Sequence, residues 1–502
     1  MTTLPSDLPV VVDRTGTVPL AAQIAAQLQA AVTGGVLRAG DRLPSSRDLA
    51  GTLGVSRTAV TNAYARLYAE GWLEGRHGSG TYVAGVAPPP PPPPPPPLSP
   101  PPSGPRQMPS PEALESASQP HGLGAGQLTA HPRGMIDLQP GIPWAEGLEP
   151  AIWRRAWRQA GAHLPSRWPD PYGLPELREE IAAYLRRSRG LAVTSAHVLV
   201  TQGVSNGLAL LADALLAPGD KAGIEEPGYP TGREVLRRAG ARVVPCPVDA
   251  HGLVPEELPG DLRLLYATPA HQYPLGGRLP VSRRQELIAW ARGTGALIVE
   301  DDYDSEFRYD VGPLPALHSM DPDVIVYLGT ASKVLAAAFG MGWLVAPPPI
   351  IETLAALRPM LGVRTPEPVQ HAVLAHLRSG DLERHVRKMR LEYARRRAAL
   401  VTALTQSGRG CADENAGRVP FRLLGDTAGM HVVLELPDDY PVACLVEAAA
   451  SRGVAVYSLD RYFVGKPTMS GLILGYGTAT LPQVRRAAAT LADLLDREAT
   501  GR

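Results

Sequence analysis

The sequence predicts an α/β protein in two modules, a small helical one near the N-terminus and a larger one in which strands and helices alternate. Three observations carry that expectation. Ten consecutive prolines, Pro88 to Pro97, divide the chain; short apolar-periodic helices precede them; strand-like runs separated by Ala- and Leu-rich stretches follow from Met135 onward. At 502 residues the chain has room for about two to four domains and a large core. Lys and Arg total 49 and Asp and Glu total 49, with a pI near 7.2, which excludes a globally basic DNA coat and an acidic solvating chain. No apolar stretch approaches the roughly 18 residues of a membrane span, and the N-terminus lacks the build of a signal peptide, so a cytoplasmic protein is expected. Cys246, Cys411 and Cys444 are scattered and match no metal spacing; no metal is expected, and the three read as buried thiols.

In the first module Leu20, Ile24, Leu28 and Val32 recur at helical spacing, and Gly34-Gly35 closes that helix. A second helix is expected in Leu43-Pro44-Ser45-Ser46-Arg47-Asp48-Leu49-Ala50, capped by Ser45 or Ser46 and ending at Leu53-Gly54. Ser56 caps a third, with Val60, Tyr64 and Leu67 on its inner face. Two short helices about a tight turn have helix-turn-helix proportions. Trp72-Leu73-Glu74 and Thr81-Tyr82-Val83 then flank the glycine-rich tip Arg76-His77-Gly78-Ser79-Gly80 as a hairpin. Laid in a major groove, the third helix presents Ser56, Arg57, Thr58, Thr61 and Asn62. Arg57 can grip a guanine or a phosphate, and Arg47 is placed for backbone contact. Arg76, His77 and Gly78 would form a minor-groove wing. Residues 1–84 hold seven arginines against six carboxylates, a net of +1, so useful occupancy of a double-stranded operator requires two such modules together. A protein-binding helical domain with solvated arginines is the alternative.

The proline run lacks backbone donors and apolar surface, so it reads as a polyproline II rod of about 30 Å with flexible chain after it. It is long enough to carry the first module over a different subunit. The divisions are 1–84, a linker at 85–134, and 135–502.

In the second module, strands are expected at His197 to Thr201, Leu262 to Ala267, Ala296 to Glu300 and Val324 to Leu328, with helices such as Ser205 to Leu216 between them. That alternation implies a mainly parallel sheet covered by helices. An Arg-rich helical run from about Leu374 through Arg397 opens a smaller α+β lobe with strands near Met430 to Leu436 and Leu472 to Gly475.

Only four lysines stand against 45 arginines, which singles out tasks a guanidinium cannot perform. Lys333, in Gly329-Thr330-Ala331-Ser332-Lys333, follows one strand; Glu300-Asp301-Asp302-Tyr303-Asp304 ends the one before. An amine that can lose its proton condenses with an aldehyde, and a carboxylate facing a pyridine nitrogen keeps it protonated. That pairing suits pyridoxal phosphate, with a Schiff base on Lys333. Asp301 is the better carboxylate, because Asp301-x-Tyr303 places a phenol near the ring's 3-oxygen. Thr201-Gln202-Gly203-Val204-Ser205 runs from strand into helix, a phosphate seat at a helix N-terminus. Tyr229, in Glu225-Glu226-Pro227-Gly228-Tyr229, is placed to stack on the ring.

The first module resembles the GntR family of winged-helix regulators through Gly40-Asp41-Arg42-Leu43-Pro44-Ser45-Ser46-Arg47, Val55-Ser56-Arg57 and Gly78-Ser79-Gly80-Thr81-Tyr82-Val83. The second resembles fold type I aminotransferases from about Gly141 to Gly477. Gly173-Leu174-Pro175-Glu176-Leu177-Arg178, Pro218-Gly219-Asp220, Pro269-Ala270-His271-Gln272-Tyr273-Pro274 and Ser332-Lys333 carry that likeness. A fusion of the two looks like the MocR family of transcriptional regulators. The resemblance implies a homodimer, and a cofactor site that also includes His271, Thr330 and Ser332. It implies an effector that is an amine, an amino acid or the cofactor itself, with Arg461 a candidate for its carboxylate.

Three departures stand out. Gly340 occupies the place of the family's phosphate-holding arginine, a loss of roughly ten- to a hundredfold in cofactor affinity. Thr231 stands where the GABA-type members carry an arginine, which points to a different effector. Trp168 stands where relatives place a tyrosine that reaches the partner subunit's phosphate. Two other readings stay open: a working aminotransferase with an auxiliary DNA module, and a cofactor-free regulator that keeps the domain for dimerisation.

Overall fold

The computed structural model describes residues 10–14, 19–33, 36–70, 72–76, 80–84, 134–309, 315–406, 419–425 and 428–497. The proline run, Gly34-Gly35, His77, Gly78 and Cys411 lie outside them, as does the side chain of Arg76.

In the first module α1 (Leu20–Thr33), α2 (Ser46–Leu53) and α3 (Arg57–Glu70) precede the hairpin β1 (Leu73–Arg76) and β2 (Gly80–Val83). Local chemistry sets the helix ends. The Ser45 hydroxyl accepts from the Asp48 amide at 3.2 Å, capping α2. Gly54 ends α2 at φ 61°, a left-handed conformation that costs a residue with a Cβ about 1 kcal/mol or more. Ile24, Leu28, Leu49, Val60, Tyr64 and Leu67 are buried together, so the apolar spacing read from the sequence is the packed face.

The second module is built on a mixed sheet, with β3 (Val198–Thr201), β4 (Lys221–Glu226), β5 (Arg242–Asp249), β6 (Gly252–Leu253), β7 (Leu264–Ala267), β8 (Leu297–Asp302), β9 (Ile325–Thr330) and β10 (Gly342–Val345). Their spatial order is β3-β10-β9-β8-β7-β4-β5-β6. The central pairs are parallel, and β10 runs antiparallel to both β9 and β3. Successive residues of β8 feed opposite faces: Val299 packs with Leu208, Leu211 and Leu328, and Ile298 with Leu265, Leu287 and Ile325. Each such buried aliphatic side chain contributes about 1.5–3 kcal/mol by leaving water.

The small lobe has β11 (Arg422–Leu424), β12 (His431–Leu436), β13 (Tyr457–Ser458) and β14 (Ser470–Gly475) in the order β11-β12-β14-β13. The Arg-rich run expected as one helix is two, Glu367–Arg378 and Asp381–Gln406, because Gly380 turns left-handed at φ 66° between them. β8 extends two residues beyond its expected end. Its terminal acids are buried and bonded, Glu300 to the amides of Leu317 and His318 and Asp302 to Arg189 and Tyr327. Cys246 is buried, but Cys444 is exposed on its helix, against the expectation of buried thiols. Among the described residues, no helix is long and apolar enough to cross a membrane and no group of three or more His, Cys, Asp or Glu could hold a metal ion.

Candidate functional sites

A cavity of about 640 Å³ opens at the carboxyl ends of the parallel strands, where such sheets bind ligands. Thr268 follows β7, Asp301 lies at the end of β8 and Tyr303 just past it, Thr330 ends β9 with Ser332 and Lys333 after it, and Gly203 leads from β3 into Val204 and Ser205 at the start of α4 (Val204–Leu215); all line it. Tyr229 forms part of the wall and lies near parallel to Tyr266, 22° between planes with centroids 6.3 Å apart.

The strand's period of two explains which acid faces the cavity. Glu300 and Asp302 point away from it, while Asp301, between them, points in. Asp301 is 5% exposed; its Oδ2 accepts from the Tyr266 hydroxyl, and its Oδ1 is buried with no hydrogen-bond partner among the described residues. Burial pushes this carboxyl up to about 7, with the Tyr266 hydrogen bond opposing. A buried carboxylate oxygen aimed into a cavity costs free energy unless a donor reaches it. The protonated nitrogen of a pyridine ring is such a donor, so the residues present fit pyridoxal phosphate.

Lys333 Nζ donates to the carbonyl of Gly141. Burial lowers its pKa below that of an ordinary lysine, and the charges of Asp301 and Asp304 work against that shift. Gly141 has φ 73°, and a Cβ there would lie 3.2 Å from Nζ, so glycine lets the backbone approach the amine. Gly203 has φ 84° at the start of α4, whose first-turn amides have no intrahelical acceptor. The Thr330 hydroxyl accepts from the Ser332 amide at 3.0 Å.

His271 does not stand on the cavity wall. It lies behind Tyr303, with Nδ1 2.9 Å from both the Tyr303 hydroxyl and Asp304 Oδ2. Its contacts are thus with the Tyr303 phenol and the Asp304 carboxylate. Arg461 is also set back, its guanidinium 5.7 Å from the Tyr462 ring centroid, and Tyr462 in turn meets Tyr273 hydroxyl to hydroxyl at 3.2 Å. Tyr273 lines the cavity and Arg461 does not. Trp168 is 82% exposed and borders a separate cavity of about 220 Å³. Among the wall residues that sequence reasoning missed are Gln139, Pro140, Gly141, Ile142 and Thr268. Pro140-Gly141 is a turn signal, but nothing local ties it to a lysine 192 residues away.

In the first module Arg47, Ser56, Arg57, Thr58, Thr61 and Asn62 are all exposed, on the N-terminal parts of α2 and α3. Arg57 Nε donates to Ser46 Oγ at 3.3 Å, which ties the two helices across their turn. The Ser56 hydroxyl accepts from the Ala59 amide at 3.2 Å, the expected cap. Tyr64 donates to the Pro44 carbonyl at 2.8 Å and Tyr68 to Thr81 Oγ1 at 2.6 Å, fixing α3 against α2 and the hairpin.

Fold and sites together define a class, a helix-turn-helix regulator whose second domain has an aminotransferase fold. The model of the GntR family of bacterial regulatory proteins matches residues 20–83, and that of aminotransferase class I and II matches residues 138–449. The pyridoxine biosynthesis transcriptional regulator PdxR of Corynebacterium glutamicum is 36% identical over 97% of this chain and 98% of its own length. The probable rhizopine catabolism regulatory protein MocR of Rhizobium meliloti is 33% identical over 93% and 92%. An archaeal alanine:glyoxylate aminotransferase shares the fold, with a TM-score of 0.67 at 24% identity over 77% of this chain and 95% of that one. The chain belongs to the MocR-type, GntR-family transcriptional regulators.

Proposed function

We propose that this regulator binds pyridoxal phosphate covalently at Lys333, binds double-stranded operator DNA as a homodimer, and changes its DNA binding when the aldehyde occupies the cavity. The observation that carries the reading is the unpartnered Oδ1 of Asp301 in the same cavity as the Lys333 amine. When bound, the group supplies an aldehyde that condenses with an amine and a ring that accepts electrons. Lys333 would hold the aldehyde carbon, Asp301 the pyridine nitrogen, and Tyr229 a ring face. Tyr303, steadied by His271 and Asp304, would meet the 3-oxygen. The first turn of α4, with the hydroxyls of Ser205, Thr330 and Ser332, would seat the phosphate.

Of the three effector classes, the cofactor itself is supported best. No arginine lines the cavity among the described residues, so nothing there grips a carboxylate bidentately. The relative at 36% identity is, by its name, a regulator of pyridoxine biosynthesis. Arg47 and Arg57 would make the DNA contacts. The test is a visible absorption spectrum of the purified protein with and without added pyridoxal phosphate, paired with operator gel shifts under both conditions. A new visible band and a shifted operator affinity are expected; a protein that stays colourless at saturating cofactor overturns the reading.

A further inference from the structure

The phosphate end of the cavity is made of uncharged donors, the first turn of α4 and the side chains of Ser205, Thr330 and Ser332. Among the described lining residues Lys333 is the one cation, and Asp301 the one carboxylate. Gly340, in the position where the family carries an arginine, is exposed with φ 51°, and a Cβ there would meet nothing within 4 Å. A Cβ has room there, although the left-handed backbone disfavours a residue that carries one; the guanidinium is absent. Arg364 meets the rim through its backbone, its carbonyl accepting from Gln202 Nε2 at 2.5 Å, while its exposed side chain belongs to the separate cavity beside Trp168. The opposite end of the cavity is built for a pyridine ring, since Asp301 Oδ1 is buried and unpartnered there. Within one subunit, ring and aldehyde recognition is thus in place while the phosphate end has no charged partner among the described lining residues. Amides at a helix start favour an anion modestly, whereas a guanidinium adds roughly ten- to a hundredfold.

We infer that the site accepts the unphosphorylated pyridoxal-type aldehyde nearly as well as its 5′-phosphate, so that the regulator reads both forms; this rests on the function proposed above. The probes are pyridoxal 5′-phosphate and 5′-deoxypyridoxal, which lacks the hydroxyl that would close onto the aldehyde. Absorbance titration of the full chain should give affinities within about tenfold of each other. In Gly340→Arg the phosphate's advantage should rise by about tenfold or more, with 5′-deoxypyridoxal unchanged. A wild-type preference of about a hundredfold or more for the phosphate overturns the inference, as does a Gly340→Arg preference no higher than wild type. So does an Arg364→Ala variant that loses about tenfold for the phosphate alone, since it would mean a guanidinium is supplied from that loop. If neither aldehyde binds the wild type, the proposed function itself fails, a different result from a strong phosphate preference.

Discussion

Tyr266 holds Asp301 by one oxygen: its hydroxyl donates to Oδ2, and Oδ1 is left buried without a partner among the described residues. In the cofactor-free protein this arrangement carries a pH-dependent cost. Burial raises the Asp301 carboxyl to about 7, whereas an aspartate in the unfolded chain titrates at about 3.9. Between those values the unfolded chain gives up a proton that the folded chain keeps. Wild type should therefore lose stability relative to Asp301→Asn as pH rises from about 4 to about 7, with the difference constant above. Urea unfolding of both proteins without cofactor at about pH 5 and about pH 8 measures it, and a pH-independent difference would refute the assignment.

Lys333→Ala should fold and bind operator but lose covalent capture of pyridoxal phosphate and the response to it. Of the other lysines, Lys221 pairs with Asp261 and Lys388 donates to the Gly147 carbonyl at 3.1 Å. Neither of these, nor Lys466, lines the cavity. Borohydride reduction followed by peptide mapping should place the pyridoxyl group on Lys333 in wild type. A label on another lysine would move the site.

Arg57→Ala should weaken operator binding by about 1–3 kcal/mol and relax sequence preference, and Arg47→Ala should weaken it less and evenly across sequences. Both side chains are exposed and Arg57→Ala removes one long, exposed hydrogen bond to Ser46, so the modules should stay folded and cofactor absorbance unchanged. Gel-shift titrations against operator and scrambled DNA separate the two effects. Unchanged affinity in Arg57→Ala would remove α3 from base recognition.

Ser45→Ala removes the hydroxyl that accepts from the Asp48 amide at the start of α2. The first module should lose about 1 kcal/mol of stability, read as an earlier unfolding of that module in thermal melts. Ser45→Thr, which keeps a hydroxyl able to accept from the Asp48 amide and donate to its carboxylate, should restore most of it. Equal melting of Ser45→Ala and wild type would show that the cap contributes nothing.

What the sequence determined by itself was whatever rests on neighbours along the chain. The serine at the start of α2, the glycine at its end and the three-to-four-residue apolar spacing of α1 and α3 are local, and so is the scarcity of lysine that picked out Lys333. The alternation of strands and helices gave the sheet, and the Asp301-x-Tyr303 spacing already favoured Asp301, although the strand's run to Asp302, which turns Glu300 and Asp302 the other way, was not read from it. Tertiary structure decided how distant segments meet. Tyr266 reaches Asp301 from 35 residues away, and Gly141 meets Lys333 from 192. His271 came to lie behind Tyr303, and Arg461 behind Tyr462 and Tyr273, although Tyr273, two residues from His271, lines the cavity. Periodicity and capping specify a residue's face and its element's ends. They carry no information on which remote side chain will fill the space in front of it, because that is settled by packing across the sheet once every element is in place.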